Sequence, residues 1–345
     1  MADGLSALPA ATLSSAGLTP ADYVGAGGYA REQPLLARAW TPVCRSEELA
    51  GAGAQRPVRV AETPILLTRD KAGAVRALSN VCRHRGMLLA SEPGAAELVR
   101  CPYHLWAFGL DGRLMAAPFM EPEAVTDCDL PVYRAGEWGG FVFVCLDPDA
   151  PSLEDALAPM AQALKPERLA DLRIGWRVAL QHPWNWKVLV ENFGESYHHI
   201  GPHAGTLQPL WPGGQTDSTP GGPDWFEIVH PDHPEEGALQ VWVIFPLFLL
   251  AATSKGQGAV WYRITPTGPE SIDLEVVGLE PPDVCADTAR MEAGRALLVA
   301  VHQEDITVCD GVQAGLRSPD AILGPLSPLE AGVARFRQWI AANRS

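Results

Sequence analysis

The feature that most constrains this chain is a pair of short segments that each carry one cysteine and one histidine. The first is Cys82-x-His84, and the second, after sixteen intervening residues, is Cys101-x-x-His104. Two thiolates and two imidazoles can hold a [2Fe–2S] cluster, with the cysteines on one iron and the histidines on the other. The same donors suit a tetrahedral zinc ion, but zinc sites usually pair two cysteines and then two histidines. The spacing therefore favours two loops that enclose a two-iron cluster.

Longer strings around these segments carry a family resemblance. The chain reads CRHRG from Cys82 to Gly86 and CPYHLWAF from Cys101 to Phe108, and an Asp-Gly turn follows at residues 111–112. These strings resemble the Rieske domain of the non-haem iron ring-hydroxylating oxygenases, over about residues 35–145. Rieske proteins of respiratory complexes have an extra cysteine in each loop, which these strings lack. The resemblance therefore implies the oxygenase or ferredoxin type, with a Rieske cluster on Cys82, His84, Cys101 and His104.

Composition narrows the classes of partner. The 345 residues have a formal net charge of -15 at pH 7, which argues against nucleic acid or an anionic membrane as a partner. The longest apolar run, residues 241–252, is shorter than the span of about 20 residues that crosses a bilayer, so we expect a buried strand or pocket wall there. No basic residue precedes Arg31, so we expect no signal peptide and a cytoplasmic protein. The five other cysteines have no framework spacing and are expected to be reduced thiols.

Turns and apolar runs divide the chain into three segments. Residues 1–34 are expected to be an arm and a helix that pack with the catalytic domain, and residues 1–30, rich in Ala, Gly and Ser, are expected to be mobile. Residues 35–150 are the predicted Rieske domain, because short apolar runs alternate there with Gly, Pro and Asp turns, as in a small antiparallel β domain. Residues 151–345 follow a break rich in Pro and Asp and form the predicted catalytic domain.

The last segment mixes strand and helix patterns, which predicts an α+β fold. The patterns predict a strand at 173–181, a helix at 186–193, a Pro/Gly-rich loop at 204–222, strands at 225–229, 240–245, 259–265 and 272–278, and helices at 284–312 and 328–342. The simplest packing of this order is a twisted antiparallel sheet wrapped around the long C-terminal helix, a helix-grip fold.

A second group of potential metal ligands lies between Glu195 and His203. On one continuous helix, His198 and His203 would point about 140° apart around the axis and could not share a metal. The Gly-Pro pair at 201–202 supplies a break that could turn His203 back, because proline ends a helix at or before the preceding residue.

The resemblance continues in this second group. The strings Asn185-Trp186-Lys187 and Glu191-Asn192-Phe193, followed by Glu-x-x-His-x-x-x-x-His, resemble the mononuclear iron motif of the same oxygenases. The resemblance implies that His198 and His203 bind Fe(II) and that Asp305 is the carboxylate of a facial triad, which leaves positions open for O2 and substrate. Glu304 and Asp310 are the alternative carboxylates, and His199 is expected to be structural or a pocket wall.

The resemblance also gives Glu195 a role. In the family, a carboxylate at this position bridges the first histidine ligand to a Rieske histidine of the neighbouring subunit, which would join His198 to His104 and carry electrons between subunits. Most ring-hydroxylating dioxygenases have Asp here, whereas Glu is familiar from relatives that demethylate quaternary ammonium compounds. The alternative interpretation is an exposed helix acid.

The function implied by the resemblance is that of a terminal oxygenase. It would use O2 and electrons from NAD(P)H, delivered by a reductase with or without a ferredoxin, to hydroxylate or dihydroxylate an aromatic or other hydrophobic small molecule. An oxidative demethylase or quaternary-ammonium monooxygenase is the alternative, and a Rieske electron carrier or a zinc module is less favoured. Electron transfer between subunits implies a homotrimer. Aromatic side chains on the predicted sheet are candidates for the pocket wall, namely Trp225, Phe226, Trp242, Phe245, Phe248 and Trp261.

Overall fold

The computed structural model of the protein describes residue 13 and residues 17–165, 167–255 and 258–344. The chain forms two compact units, one over residues 36–157 and one that combines the residues up to Leu35 with those from Ala158 onward. Residues 1–12 and 14–16 of the expected arm lie outside the described residues. Among the helices that are described, none combines the length and the apolar character needed to cross a bilayer.

Antiparallel strands make up most of the unit at residues 36–157. Its strands are β1 (Thr41–Arg45), β2 (Ala54–Val60), β3 (Thr63–Arg69), β4 (Val75–Ser79), β5 (Gly94–Ala95), β6 (Val99–Arg100), β7 (Ala107–Phe108), β8 (Leu114–Ala116), β9 (Val132–Trp138) and β10 (Phe141–Cys145). One sheet has the order β1-β10-β9-β4-β3-β2-β5, and a smaller sheet has the order β6-β7-β8. Helix α1 (Gly25–Arg38) precedes these strands in the sequence, and helix α2 (Leu153–Ala161) follows them.

Strand β3 shows how this unit forms two cores. Its side chains alternate between the faces of the sheet, so that Ile65 and Leu67 join one apolar cluster while Leu66 joins the other. The second cluster also contains Cys82 and Cys101. The paired cysteine and histidine loops are therefore anchored in a hydrophobic core on one face of the sheet.

The larger unit is built on a seven-stranded antiparallel sheet. Its strands are β11 (Arg173–His182), β12 (Asp217–Gly222), β13 (Trp225–Val229), β14 (Leu239–Ile244), β15 (Phe248–Thr253), β16 (Ala259–Gly268) and β17 (Ser271–Glu280). Its helices are α3 (Trp186–Phe193), α4 (Pro282–Cys285), α5 (Thr288–Leu316) and α6 (Ala331–Asn343). The sheet has the order β11-β17-β16-β15-β14-β13-β12, and the long helix α5 contacts β11 and α3. The predicted α+β class with antiparallel sheets is confirmed.

Two stretches differ in part from their predictions. The apolar run at 241–252, expected as a buried strand or pocket wall, is divided between β14 and β15, which pair as a hairpin, and its residues Val241, Ala251 and Ala252 line a cavity. Pro246 lies in the connection between them, and a proline cannot donate the ladder hydrogen bond that a continuous strand needs. The end of the predicted loop at 204–222 is strand β12, which tolerates its proline because it lies at the edge of the sheet.

The N-terminal segment contains a helix that begins within the stretch 1–30 expected to be mobile. Helix α1 begins at Gly25, although its glycines and Pro34 are poor helix formers. Tertiary contacts hold it in place: the Lys187 ammonium lies 2.7 Å from the Glu32 carboxylate, and both side chains are fully buried. Trp186 Nε1 donates a hydrogen bond of 2.9 Å to the same carboxylate. A side-chain methyl at Gly28 would come within 2.9 Å of the Asp22 carbonyl oxygen, so glycine permits this close approach.

Candidate metal centres

The two loops with the paired cysteines and histidines have the same backbone geometry. The amide of Cys82 donates to the carbonyl of Met87, and the amide of Cys101 donates to the carbonyl of Trp106, each at 2.8 Å. In each loop the residue four positions after the cysteine, Gly86 or Leu105, donates back to the cysteine carbonyl at 3.1 Å. Both of these residues have positive φ, 73° and 61°, so the two turns are equivalent.

The donor atoms of these loops lie on neighbouring side chains. Cys82 and Cys101 are 3% and 1% exposed, and burial raises the pKa of the Cys82 thiol. The rings of His84 and His104 are 4.6 Å apart, and Trp106 stacks on His84 at 4.9 Å. His84 Nδ1 is buried without a hydrogen-bond partner among the described residues, as expected for a nitrogen that binds a metal.

The separation of these donors favours a two-iron cluster over zinc. Four ligands at about 2.3 Å around one tetrahedral ion would lie within about 4 Å of one another. Among the described residues, only His198, His203 and Asp305 form a group of three or more whose ligand atoms all lie within 4.8 Å of each other. The four donors of the paired loops are therefore spread too widely for one ion, and they fit a [2Fe–2S] cluster.

Three candidate ligands converge in the larger unit. His198 lies on a short 3-10 helix (Tyr197–Ile200) that ends at Gly201, so the predicted break before His203 is present. Asp305 comes from helix α5, and its Oδ1 atom is 3.0 Å from His203 Nε2 and 3.6 Å from His198 Nε2. About one hundred residues separate the histidines from Asp305 in the sequence. Helix α3, which precedes the histidines, contacts helix α5, which carries Asp305, and this contact brings the three residues together.

Hydrogen bonds hold both imidazoles with Nε2 toward this centre. His198 Nδ1 pairs with Glu195 Oε1 at 2.6 Å, and His203 Nδ1 pairs with Glu304 Oε2 at 2.7 Å. His203 Nε2 is buried and lacks hydrogen-bond geometry toward Asp305 despite their short separation. A carboxylate on Nδ1 fixes the tautomer that leaves the Nε2 lone pair free for a metal, so the three residues fit an iron ion.

The alternative ligands have other contacts. Glu304 accepts hydrogen bonds from His203 Nδ1 and from Thr206 Oγ1. It therefore orients His203 and is not itself one of the converging ligands. Asp310 accepts from Trp184 Nε1 at 2.6 Å. His199 Nδ1 pairs with the Trp211 carbonyl at 2.9 Å, and burial lowers the pKa of His199 to about 3.

One further contact to Asp305 was missing from the sequence analysis. Asn192 Nδ2 donates to Asp305 Oδ1 at 3.2 Å, which orients the carboxylate. Burial raises the pKa of Asp305, but the neighbouring His203 and His198 outweigh it and hold that pKa below its usual range. Asn192 belongs to the quoted motif, but only the fold shows which side chain it contacts.

A cavity of about 390 Å³ opens onto these three residues. Its aromatic lining consists of Trp176, Phe193, Trp211 and Tyr262. The six expected aromatic side chains are buried and are not part of the lining, so that prediction was wrong. The pleat explains the error for the central strands: Val241 and Val260 face the cavity, and their neighbours Trp242 and Trp261 therefore point to the opposite face.

Comparisons with known proteins agree with both centres. The family model described as "Rieske [2Fe-2S] domain" matches residues 39–134, and the model "Ring hydroxylating alpha subunit (catalytic domain)" matches residues 169–227 and 223–344. The carnitine monooxygenase oxygenase subunit of Escherichia coli K12 is 40% identical over 182 residues, which cover 50% of this chain and 48% of that protein. The chloroplastic choline monooxygenase of Spinacia oleracea is 28% identical over 307 residues, 80% of this chain and 66% of that protein.

A solved structure shows the same fold. It is a quaternary ammonium Rieske monooxygenase in complex with an inhibitor, with a TM-score of 0.83, 23% identity, and coverage of 97% of this chain and 96% of that chain. The match to the Escherichia coli relative spans only about half the length of that protein. The two family models together account for most of the sequence. This chain therefore belongs to the family of ring-hydroxylating alpha subunits, and its cofactors are a Rieske [2Fe–2S] cluster and a mononuclear iron.

Proposed function

We propose that this chain is the terminal oxygenase of a multi-component system that oxidises a carbon bonded to the nitrogen of a quaternary ammonium compound. The observation that carries the proposal is the residue at position 195. The Glu195 carboxylate lies 2.6 Å from His198 Nδ1, so it occupies the bridging position of the family. The resemblance associates Glu at this position with relatives that act on quaternary ammonium compounds. The relatives named for carnitine and choline support the same substrate class.

Each metal centre has assigned residues in this proposal. Cys82, Cys101, His84 and His104 would hold the cluster, and His198, His203 and Asp305 would hold the iron. When bound, the iron supplies O2 reduction and oxygen transfer to carbon. The protein's own contribution is to fix both imidazole tautomers through Glu195 and Glu304 and to shape the cavity beside them.

The cavity lining supports a cationic substrate. Phe193, Trp211 and Tyr262 line the same cavity as the triad, and the Phe193 and Tyr262 ring centroids are 4.9 Å apart. A trimethylammonium group gains cation–π attraction from such faces. The carboxylates of Glu195 and Asp305 also line the cavity and would offset the positive charge of the bound iron.

Electron supply and assembly complete the proposal. Electrons would come from NAD(P)H through a reductase, with or without a ferredoxin, and the acidic chain would dock a basic surface on that donor. A homotrimer would let Glu195 join His198 to His104 of a partner subunit. The described cysteines form no disulfide with one another, which suits a reducing compartment such as the cytoplasm.

A second candidate function rests on the apolar part of the lining. Leucine, valine and alanine side chains form much of the cavity surface, for example Leu239, Val241, Ala251, Val260 and Val301. Such a surface also suits hydroxylation or dihydroxylation of a neutral aromatic or aliphatic molecule.

One product assay separates the two functions. The enzyme, supplied with O2, NAD(P)H and a reductase, is offered trimethylammonium compounds, their neutral tert-butyl isosteres and simple arenes. Hydroxylation places one oxygen atom on the carbon next to nitrogen and the other in water, and the carbinol then separates into an amine and an aldehyde. We expect an amine and an aldehyde from the cations and little turnover of the isosteres. Diols from arenes without amine release would instead establish the second candidate.

A further inference from the structure

One face of helix α5 lines the cavity over several turns. Arg290, Gly294, Leu298, Val301 and Asp305 all belong to the lining, and their spacing of three or four residues places them in one stripe. Asp305 lies at one end of this stripe, next to the two histidines, and Arg290 lies at the other. The cavity is therefore elongated along the helix.

The length of this stripe sets the scale of the cavity. Arg290 and Asp305 are fifteen positions apart in the sequence, and at a rise of 1.5 Å per residue their Cα atoms are about 22 Å apart. Side chains reach inward from both ends, so a molecule that contacts both would need an extended span of roughly 10–20 Å. A single small cation beside the triad would leave the far end uncontacted.

Charge is concentrated at the two ends of the stripe. Between them the helix contributes only glycine and aliphatic side chains, and the facing strands contribute Ala251 and Val260. At the far end the cavity is lined by Arg290 and by Glu280, which ends strand β17. An apolar passage with opposite charges at its far end suits a substrate with a polar head and an aliphatic spacer.

The Glu280 side chain occupies space left by two glycines. A methyl group at Gly258 would come within 2.6 Å of Glu280 Oε2, and one at Gly175 within 3.1 Å of its Cγ. The structure gives the Glu280 carboxylate no hydrogen bond or ion pair within the described parts of the chain, and burial raises its pKa against the opposing charge of Arg290. Within the described parts of the chain its oxygens lack a partner, and a cation that enters the cavity would, like Arg290, favour the charged carboxylate.

An indole ring completes the far end. The Trp176 ring packs against Gly278, where an added methyl group would come within 2.1 Å of the ring. Its Nε1 atom lies next to Gly294 of helix α5. Its Nε1 atom is buried without a hydrogen-bond partner among the described residues. Trp176 thus contributes an indole edge and a free donor to the cavity lining that also includes Glu280 and Arg290.

We propose that Glu280, Arg290 and Trp176 form a binding site for the zwitterionic head of an elongated substrate. A carboxylate of the substrate pairs with the Arg290 guanidinium, which binds it in a forked geometry, and with the free donor of Trp176. An ammonium group pairs with Glu280, and the other end of the molecule places its trimethylammonium group at the triad. This inference rests on the proposed function and narrows its substrates to ω-trimethylammonio α-amino acids with an aliphatic spacer.

Calorimetric titration of the holoenzyme under anaerobic conditions tests this site without turnover. The probes are ω-trimethylammonio α-amino acids with increasing numbers of methylene groups, and alkyltrimethylammonium ions of matched length without the head. We expect the affinity of the amino acids to pass through a maximum at one spacer length and to exceed that of the matched ion there by about tenfold or more. Equal affinities for the two series, or the absence of a length optimum, would overturn the proposal.

Two variants assign the effect to the named residues. Arg290→Gln and Glu280→Gln should each lower the affinity for the best-binding amino acid by about tenfold. Neither variant should change the affinity for the matched alkyltrimethylammonium ion. Glu292→Gln is the control and should change neither affinity, because Glu292 lies on the same helix but pairs with Arg295 and is not part of the cavity lining. Equal losses for both series, or no loss in either variant, would contradict the assignment. Specific binding without amine or aldehyde release would refute the proposed function and leave this site intact.

Discussion

At the scale of single residues, the cysteine and histidine candidates for the metal centres could be named from the sequence because they lie in short contiguous strings, whereas Asp305 was named only through the family resemblance. Cys82 with His84, Cys101 with His104, and His198 with His203 each fall within a few residues of one another, so spacing alone limits the chemistry they can support. The groups that orient these donors could not be found in this way. Glu304 follows His203 by about one hundred residues, and its contact with that histidine depends on where helix α5 lies.

Glu304 provides a test of metal support at this scale. Glu304→Ala should lower the affinity of the mononuclear site for Fe(II) by about 10–100-fold, because His203 loses the partner that fixes its tautomer. Anaerobic Fe(II) titration measures the affinity, and the cluster absorption should remain unchanged. Glu304→Gln retains an oxygen acceptor for His203 and should therefore lose less Fe(II) affinity than Glu304→Ala. Complete loss of iron in both variants would make Glu304 a direct ligand.

Glu195 provides a test of the route for electrons. Glu195→Ala should weaken Fe(II) binding about as Glu304→Ala does, because His198 loses its partner on Nδ1. Both metal centres should still fill at saturating Fe(II), because Glu195 is not among the three converging ligands, and product formation there should fall by orders of magnitude. Rapid mixing of the reduced cluster with O2 and substrate follows the electron transfer directly. Glu195→Gln distinguishes charge from geometry, since it retains the length of the side chain. Turnover at the wild-type rate would show that electrons take another path.

At the scale of elements, the sequence pattern predicted the strands that are rich in apolar residues. It missed a strand that forms only by pairing with its neighbour. The prediction for residues 225–229 coincides with β13, whose side chains are mostly buried. Strand β12 contains proline and two glycines and exists only because β13 pairs with it. Helix α1 likewise contradicts its own propensities, and contacts from the catalytic unit hold it.

The buried Glu32 and Lys187 pair explains how α1 is held, and it can be tested by unfolding. Glu32→Gln should lower the free energy of unfolding by about 3–5 kcal/mol, because it leaves the Lys187 ammonium buried without its counter-charge. Urea denaturation measures the change. The double variant Glu32→Leu/Lys187→Met should recover much of the loss. Glu97→Gln, in the exposed pair with Lys71, is the control and should change the free energy by less than about 1 kcal/mol.

At the scale of the whole molecule, buried neutral histidines make stability depend on pH. His182 Nε2 and His302 Nε2 are 3.0 Å apart, which requires one ring to donate and the other to accept. Burial, followed by the neighbouring His302, lowers the pKa of His182 to about 4, while the charge of Asp310 opposes this shift. Burial also lowers the pKa of His302 and brings that of His230 to about 4.

The sign of the pH effect follows from these lowered pKa values. Between about pH 6.5 and pH 4 the unfolded chain binds protons that the folded chain excludes, so the free energy of unfolding should fall as the pH falls. Each unit of pKa difference corresponds to about 1.4 kcal/mol. The urea midpoint of the wild type should be lower at pH 5 than at pH 7.5. In His182→Gln the difference between the two midpoints should be smaller. Equal pH dependence in the wild type and the variant would contradict the assignment to His182.

The central claim is that one chain holds a two-iron cluster and a separate mononuclear iron, and metal analysis tests it most directly. Protein prepared under anaerobic conditions should contain about three irons and two acid-labile sulfides per chain. Cys101→Ala should retain about one iron and no sulfide, whereas His203→Ala should retain about two irons and both sulfides. Stoichiometric zinc without sulfide in the wild type, or loss of all iron in both variants, would contradict the account.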